Sequence, residues 1–231
     1  MGQTPIGQAK DLDSMLASVE SFIEDQILPS KFIHTGSSCG AYFARALAYK
    51  YENYVEGLLL RVPLVEPANE KRDLDPFVPA IADPKLLASL PTAERQRLGG
   101  IAVQTPKYID AFRKRMMEDV LPDVEASDSM ALDVIRDDPN MYRLTAQLHD
   151  EKSTFDKPTL IVTGRQDGVT GYRDAWNLLK CYPRAGVFFG LDRADHGLPV
   201  DESDRKVFFE ALVLDWLRRV EETRRIAAAA E

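Results

Sequence analysis

Four short apolar runs alternate with helical patterns along this chain, and this alternation constrains the fold more than any other feature. The runs are KFIHT (31–35), GLLLRV (57–62), TLIVT (159–163) and VFFGL (187–191). The second and third are apolar on both faces, which is typical of strands covered by helices on either side. The pattern therefore predicts an α/β fold, with a parallel sheet flanked by helices and right-handed crossover connections.

Apolar residues spaced three and four apart predict the covering helices. These are expected at about residues 11–28, 41–51, 174–180 and 201–225. In the last of them, Phe208, Leu212 and Trp216 follow one another at intervals of four residues. The helix at 41–51 comes directly after the sequence GSSCG, so the chain reads there as strand, tight turn and helix.

The 96 residues between the second and third predicted strands (63–158) are too many for a simple connection. The pairs Asp83-Pro84 and Thr105-Pro106 are typical of a helix N-cap followed by the first turn, and they predict a helical insertion. Such an insertion would cover the crevice at the carboxyl ends of the strands, where parallel sheets bind ligands. The predicted division is a first part of the core at 1–62, a helical cap at 63–156 and a second part of the core at 157–231.

Composition excludes several function classes. The chain has 231 residues, with 29 basic against 37 acidic side chains and a net charge of −8, so it offers no basic surface to nucleic acid or anionic lipid. No run reaches the roughly 18 apolar residues of a membrane span, and the first ten residues lack a signal-peptide core, so a cytoplasmic location is expected. Two cysteines, Cys39 and Cys181, cannot form a disulfide framework.

The segment Gly36-Ser37-Ser38-Cys39-Gly40 matches GxSxG, the pattern of a nucleophile elbow between a strand and a helix. So abrupt a turn strains its central serine, and small residues at both flanks are expected to make room for it. The apolar run before the motif and the helix after it support Ser38 as a nucleophile. A serine in a loop or at a helix N-cap is the plainer alternative.

A serine hydroxyl needs a general base to remove its proton. The sequence contains three histidines. His34 lies within the first strand and is expected to be a core or strand-end side chain, and His149, in HDEKS, is expected to be a solvated loop residue. His196 follows the fourth strand, at the same sheet edge as Ser38, and is the predicted base.

The base in turn needs a carboxylate to orient it. Asp167, in TLIVTGRQDG, follows the third strand and is the predicted acid, although capping the next helix is another role for a turn aspartate. Asp195 adjoins His196, but sequence neighbours rarely adopt the required geometry. Glu66, shortly after the second strand, is the best alternative acid.

Three stretches resemble the α/β-hydrolase superfamily: HTGSSCGAYFARALAYKY, KPTLIVTGRQDGVTGY and LDRADHGLP. The similarity extends from about residue 12 to residue 220, and 63–156 corresponds to the variable cap of that superfamily. The resemblance implies hydrolysis of an ester, amide or thioester bond of a small molecule through an acyl-enzyme. Ser38 would be the nucleophile, His196 the base and Asp167 its orienter, with the Cys39 N–H as one oxyanion donor. A serine at this position argues against members with an aspartate nucleophile, such as epoxide hydrolases.

The sequence departs from the superfamily at its start. Members have further strands before the segment equivalent to 11–28, and one of their loops donates a second oxyanion hydrogen bond. Here KFIHT is expected at a sheet edge that is open to another chain. Three explanations follow: a fragment or a start placed too late, a second copy or other polypeptide that completes the sheet, or a reduced form that binds ligands without turning them over. The first is favoured because the catalytic positions are intact.

No cofactor is predicted. The histidines are far apart, neither cysteine lies in a CxxC pair, and there is no metal-ligand spacing or glycine-rich phosphate-binding loop. Two other functions stay open beside hydrolysis. One is a catalytically weak member that binds ligands or forms half of a heteromer, and the other is an acyltransferase.

Overall fold

A four-stranded parallel sheet forms the centre of the computed structural model, which describes residues 7, 9–98, 100–188, 193–198 and 204–229. Its strands, in their order across the sheet, are β1 (Phe32–Ser37), β2 (Val55–Arg61), β3 (Thr159–Val162) and β4 (Ala185–Phe188). The predicted α/β class and the four predicted strands are confirmed. The β4 strand begins at Ala185 rather than Val187, and positions 189–191 of the predicted run lie outside the described residues.

Helices accompany the strands on both faces of the sheet. In chain order they are α1 (Leu12–Gln26), α2 (Cys39–Lys50), α3 (Pro84–Ala88), α4 (Thr92–Leu98), α5 (Pro106–Arg115), α6 (Leu121–Glu125), α7 (Ser129–Asp137), α8 (Tyr172–Asn177) and α9 (Asp204–Ala228). Short 3-10 turns cover Asn69–Lys71 and Leu178–Lys180, and a π-helical turn, Met116–Val120, joins α5 to α6. Positions 201–203 of the last predicted helix lie outside the described residues. In the part of the chain that the structure describes, no helix is both long and apolar enough to cross a membrane.

The strands are aligned so that their carboxyl ends share one edge of the sheet. Ser37 pairs with Arg61, Arg61 with Val162, and Val162 with Phe188. Segments that follow the strands therefore meet at a single edge, as in other parallel sheets. Among the described strands β1 is at one side of the sheet, so the prediction that another chain completes this side stays a prediction.

The core lies on both faces of β2 and β3, which explains why each of these strands has apolar residues on both faces. Leu58 and Leu60 pack with α1 and α2 in the larger cluster, whereas Leu59 packs on the other face against α9. The α9 helix packs so closely against β2 that a Cβ on Gly57 would lie 2.5 Å from Val220 Cγ2. Burial of apolar side chains on both faces stabilises the sheet, and the loops at its edge extend from this core.

The residues between β2 and β3 form five helices in their described part, as predicted. The Asp83 and Thr105 side chains cap α3 and α5 and accept hydrogen bonds from the N–H groups of Leu86 (2.9 Å) and Tyr108 (3.3 Å). A separate apolar cluster lies in this segment, formed by Leu98, Ile101, Ala102, Val103, Tyr108 and Ile109. By contrast, Ile135, Leu144 and Phe155 belong to the main core. The cap boundaries at 63 and 156 stay a prediction.

Candidate active site

Ser38 lies in the tight turn between β1 and α2, with a φ of 53° and a ψ of −121°. L-residues rarely adopt this conformation, so the turn is strained. Hydrogen bonds from three sides hold it in place. The Ser38 N–H donates to the Arg61 carbonyl (3.0 Å), and the Ser38 carbonyl accepts from the N–H groups of Ala41 (3.0 Å) and Leu64 (3.1 Å).

The two glycines of the GxSxG motif differ in what the turn requires of them. A Cβ on Gly36 would lie 2.2 Å from the Gly40 carbonyl oxygen and 2.7 Å from the Ala41 Cα. Outside its own helix, a Cβ on Gly40 would meet no atom of the described residues within 4 Å. The turn is therefore crowded at Gly36, on its strand side, and the expected need for small residues at both flanks stays a prediction.

The structure brings Ser38, His196 and Asp167 together in one hydrogen-bonded sequence. His196 Nε2 lies 3.1 Å from Ser38 Oγ, and His196 Nδ1 lies 3.1 Å from each carboxylate oxygen of Asp167. The Asp167 side chain is fully buried, whereas the His196 side chain is 28% exposed. An Nδ1 that faces a carboxylate favours the imidazole tautomer with its proton on Nδ1, and Nε2 is the ring nitrogen that faces the Ser38 hydroxyl.

Asp167 is held by more than the imidazole. Its Oδ1 accepts hydrogen bonds from the N–H groups of Val169 (2.9 Å) and Thr170 (3.0 Å). Burial alone raises the pKa of Asp167, but the hydrogen bond and charge of His196, together with these two N–H groups, hold the pKa below its ordinary value. The carboxyl group is therefore ionised at neutral pH.

Thr170 is the residue of this arrangement that sequence reasoning missed. Its buried hydroxyl lies 2.8 Å from Asp167 Oδ2, 3.2 Å from the Val62 carbonyl oxygen and 3.5 Å from His196 Nδ1. Val62 is fully buried and has a φ of 39°, a rare value for a β-branched residue. The available signal was the spacing D-x-x-T, which brings a hydroxyl and its N–H to an aspartate within one turn.

The alternative acids have other partners. Asp195 accepts hydrogen bonds from the N–H groups of Ala102 (2.7 Å) and Gly197 (2.8 Å). Glu66 accepts one from the Ala68 N–H (2.9 Å) and lies 3.5 Å from Arg143 Nη2. Asp167 is the carboxylate that lies against His196 Nδ1, so it is the acid that the geometry favours.

His149 corrects one expectation. The predicted solvated loop residue is only 3% exposed, and its ring packs among those of Tyr49, Phe155 and Tyr182, with centroids 5.1 to 6.1 Å apart. The polar neighbours in HDEKS favour a solvated position, whereas two of the contacting rings, Tyr49 and Tyr182, come from distant parts of the sequence. His34 lies partly buried in β1 as expected, and burial lowers its pKa.

Cys39 follows Ser38 directly, and both its backbone N–H and its thiol bear on the site. It is the first residue of α2, so its N–H has no acceptor within the helix. Burial raises the pKa of the Cys39 thiol, and a hydrogen bond with Tyr142 only partly opposes this, so the thiol is protonated at neutral pH. Across the described ranges, no group of three or more His, Cys, Asp and Glu side chains is placed to hold a metal ion.

The sheet, the strained serine turn and the order of the site residues along the chain define the α/β-hydrolase fold. An α/β superfamily hydrolase from Oenococcus oeni PSU-1 is similar, with a TM-score of 0.71 and 22% identity over 91% of this chain and 76% of that one. A meta-cleavage product hydrolase from Pseudomonas fluorescens IP01 has a TM-score of 0.57 and 18% identity over 93% and 74% of the two chains. A thermophilic esterase has a TM-score of 0.53 and 16% identity over 91% of this chain and 74% of that one. No family model and no curated protein matches the sequence. The similarities confirm, at the level of the fold, the resemblance that the sequence motifs carry.

Proposed function

We propose that this chain is a serine hydrolase that cleaves an ester, amide or thioester bond of a small molecule through an acyl-enzyme on Ser38. The observation that carries the proposal is the continuous hydrogen bonding from the Ser38 hydroxyl through His196 to the ionised, buried Asp167. A hydroxyl group becomes a useful nucleophile at neutral pH when an oriented, neutral imidazole accepts its proton. The hydrolases among the structural neighbours support the same class of reaction.

In the first half of the proposed reaction, Ser38 Oγ attacks the substrate carbonyl carbon while His196 Nε2 takes the hydroxyl proton. The carbonyl electron pair moves onto its oxygen, and the Cys39 N–H donates a hydrogen bond to this oxyanion. Asp167 stabilises the imidazolium that forms. When the tetrahedral intermediate collapses, the bond to the leaving group breaks and His196 gives that group its proton.

In the second half, water attacks the ester that joins the acyl group to Ser38. His196 accepts a proton from this water and then returns it to Ser38 Oγ as the acid departs. The same imidazole therefore acts as base and acid in both halves. This requires Nδ1 to stay bonded to Asp167 throughout, as the burial of the carboxylate favours.

Labelling with a fluorophosphonate probe tests the proposal, because the probe reacts covalently with an activated serine. We expect one adduct on the wild-type chain by intact mass, no adduct on Ser38→Ala, and an adduct on Ser37→Ala. Ser37 is a matched control, since it is the neighbouring hydroxyl and lies exposed at the end of β1. A folded wild-type chain that stays unlabelled would contradict the proposal.

A further inference from the structure

Two hydrogen bonds connect the segment between β2 and β3 to the turn that carries His196. The Ala102 N–H donates to Asp195 Oδ2 at 2.7 Å, and Arg115 Nη1 donates to the Gly197 carbonyl at 2.9 Å. These contacts involve the residue directly before His196 and the residue directly after it. The cap is therefore hydrogen-bonded to the chain on either side of His196.

The contact at Asp195 is buried and engages the whole carboxylate. Asp195 is 7% exposed, and Ala102, which is completely buried, belongs to the separate apolar cluster of the cap. The other carboxylate oxygen, Oδ1, accepts a hydrogen bond from the Gly197 N–H at 2.8 Å and thereby closes the turn around His196. Moving the cap away would break this buried, charge-assisted hydrogen bond and exchange it for hydrogen bonds to water.

The core holds the same turn from the opposite side. The Ala194 carbonyl accepts a hydrogen bond from the Gln166 N–H at 2.9 Å, directly beside Asp167. The turn that carries His196 thus lies between the Asp167 turn and the cap, with backbone or charged hydrogen bonds to each. Without the hydrogen bonds to the cap, the turn that carries His196 would be bonded only to the Asp167 turn, and without the Gln166 bond only to the cap.

We propose that Asp195 and Arg115 are positioning residues, which keep the His196 ring aligned with Ser38 and Asp167 only while the cap is seated on the core. Opening of the cap to admit substrate and alignment of the histidine are then coupled, so that proton transfer is efficient only in the closed form. This inference rests on the proposed function of Ser38, His196 and Asp167. It assigns to Asp195 a role that its position beside His196 does not reveal.

A neighbouring arginine on α5 offers a matched control. Arg113 forms ion pairs with Glu94 and Asp110, both within the cap, and none of these contacts reaches the His196 turn. Arg113→Met and Arg115→Met remove the same charge two positions apart on one helix. Arg115→Lys keeps a donor for the Gly197 carbonyl, and Asp195→Asn keeps the shape of the side chain but removes its charge.

The first measurement is kcat and KM with a small chromogenic ester, normalised to the fraction of sites that a fluorophosphonate probe titrates. We expect kcat to fall about tenfold or more in Asp195→Asn and Arg115→Met, because small misplacements of a reacting group cost about this much or more, while KM changes little. Arg115→Lys should recover most of the loss, and Arg113→Met should match the wild type. Unchanged kcat in both Asp195→Asn and Arg115→Met overturns the inference.

The second measurement is independent of activity. We expect the Nδ1 proton shared with Asp167 to give a downfield NMR signal that disappears in His196→Gln. We expect it to shift or broaden in Asp195→Asn and Arg115→Met but not in Arg113→Met, and an unaltered signal in both variants overturns the inference. Failure of the wild-type chain to react with the probe overturns the proposed function instead, and the NMR comparison still decides whether the cap positions the ring.

Discussion

A Cβ atom on Gly164 would lie 2.3 Å from the carbonyl oxygen of Ala194. The turn after β3, which carries Asp167, and the turn that carries His196 therefore touch at a point where only glycine fits. The same carbonyl oxygen accepts a hydrogen bond from the Gln166 N–H. Contact between the backbones of these two turns thus fixes how far apart Asp167 and His196 lie.

Gly164→Ala tests this contact. The added methyl group must push the Ala194 carbonyl away, so we expect kcat/KM to fall about 100-fold and the free energy of unfolding to fall by about 2 kcal/mol. Gly168→Ala is the matched control, because among the described residues, its chain neighbours aside, the Cβ would come within 4 Å of Phe77 Cβ alone, at 3.9 Å. Ester hydrolysis and urea unfolding measure the two quantities, and equal losses in both variants would show that the close contact is not the cause.

The glycines of the serine turn give a second prediction. Gly36→Ala should prevent formation of the turn, since its Cβ would overlap the backbone of Gly40 and Ala41. Gly40→Ala should keep a fluorophosphonate labelling rate within about threefold of the wild type, because its Cβ meets open space. Folded protein is scored by circular dichroism before labelling. A loss of labelling in folded Gly40→Ala as large as in Gly36→Ala would contradict the assignment.

Thr170 should act through Asp167. Thr170→Val keeps the shape but removes the hydroxyl, leaving Asp167 Oδ2 without its 2.8 Å donor. We expect kcat to fall about tenfold and the free energy of unfolding to fall by about 2 kcal/mol. Thr170→Ser should restore most of both, because it keeps the donor. If the serine variant is as impaired as the valine variant, packing of the methyl group rather than the hydrogen bond explains the effect.

The sequence predicts the sheet and the three site residues because each depends on local patterns. Apolar runs fix β2 and β3 as buried strands, and once strands are parallel the segments after them must share an edge. Ser38, Asp167 and His196 each follow such a strand, so their proximity is a consequence of topology. The order of these residues along the chain then adds the resemblance to a known superfamily.

What the sequence does not reveal depends on contacts between distant segments. The burial of His149 depends on aromatic rings from α2 and from two later segments, so the polar residues beside it give the wrong impression. The partner of Asp195, the Ala102 N–H, is a backbone group without any sequence signature. The space around Gly40 depends on how the chain packs, and the GxSxG motif carries no information about it.

His149 and His196 should respond in opposite ways to the same substitution. His196→Gln removes the proposed base, and we expect kcat/KM to fall on the order of a thousandfold or more without a large change in stability. His149→Gln leaves the aromatic cluster incompletely filled, so the free energy of unfolding should fall by about 2 kcal/mol. Below its melting temperature, however, it should turn over substrate at the wild-type rate per folded molecule. Thermal unfolding and active-site titration separate the two effects.

The lowered pKa of Asp167 predicts how the free energy of unfolding changes as the pH falls. Because the pKa of this carboxyl in the folded chain lies below the ordinary value of 3.8, its ionised form stabilises the fold at pH values above that value. The stabilisation is lost as the pH falls through the folded pKa. Asp167→Asn has no such group, so its free energy of unfolding should fall less than that of the wild type between about pH 5 and pH 3.

Urea unfolding at several pH values in that range measures the difference between the two proteins. Other carboxyl groups with lowered pKa values, such as Asp11 and Asp150, are present in both proteins and cancel in the comparison. The remaining difference reports on Asp167, because His196 and the N–H groups of Thr170 and Val169 stabilise its carboxyl group more when it is ionised than when it is protonated. Parallel pH profiles for the two proteins would mean that these hydrogen bonds do not hold the carboxylate, and the activation of Ser38 through His196 would then lack its support.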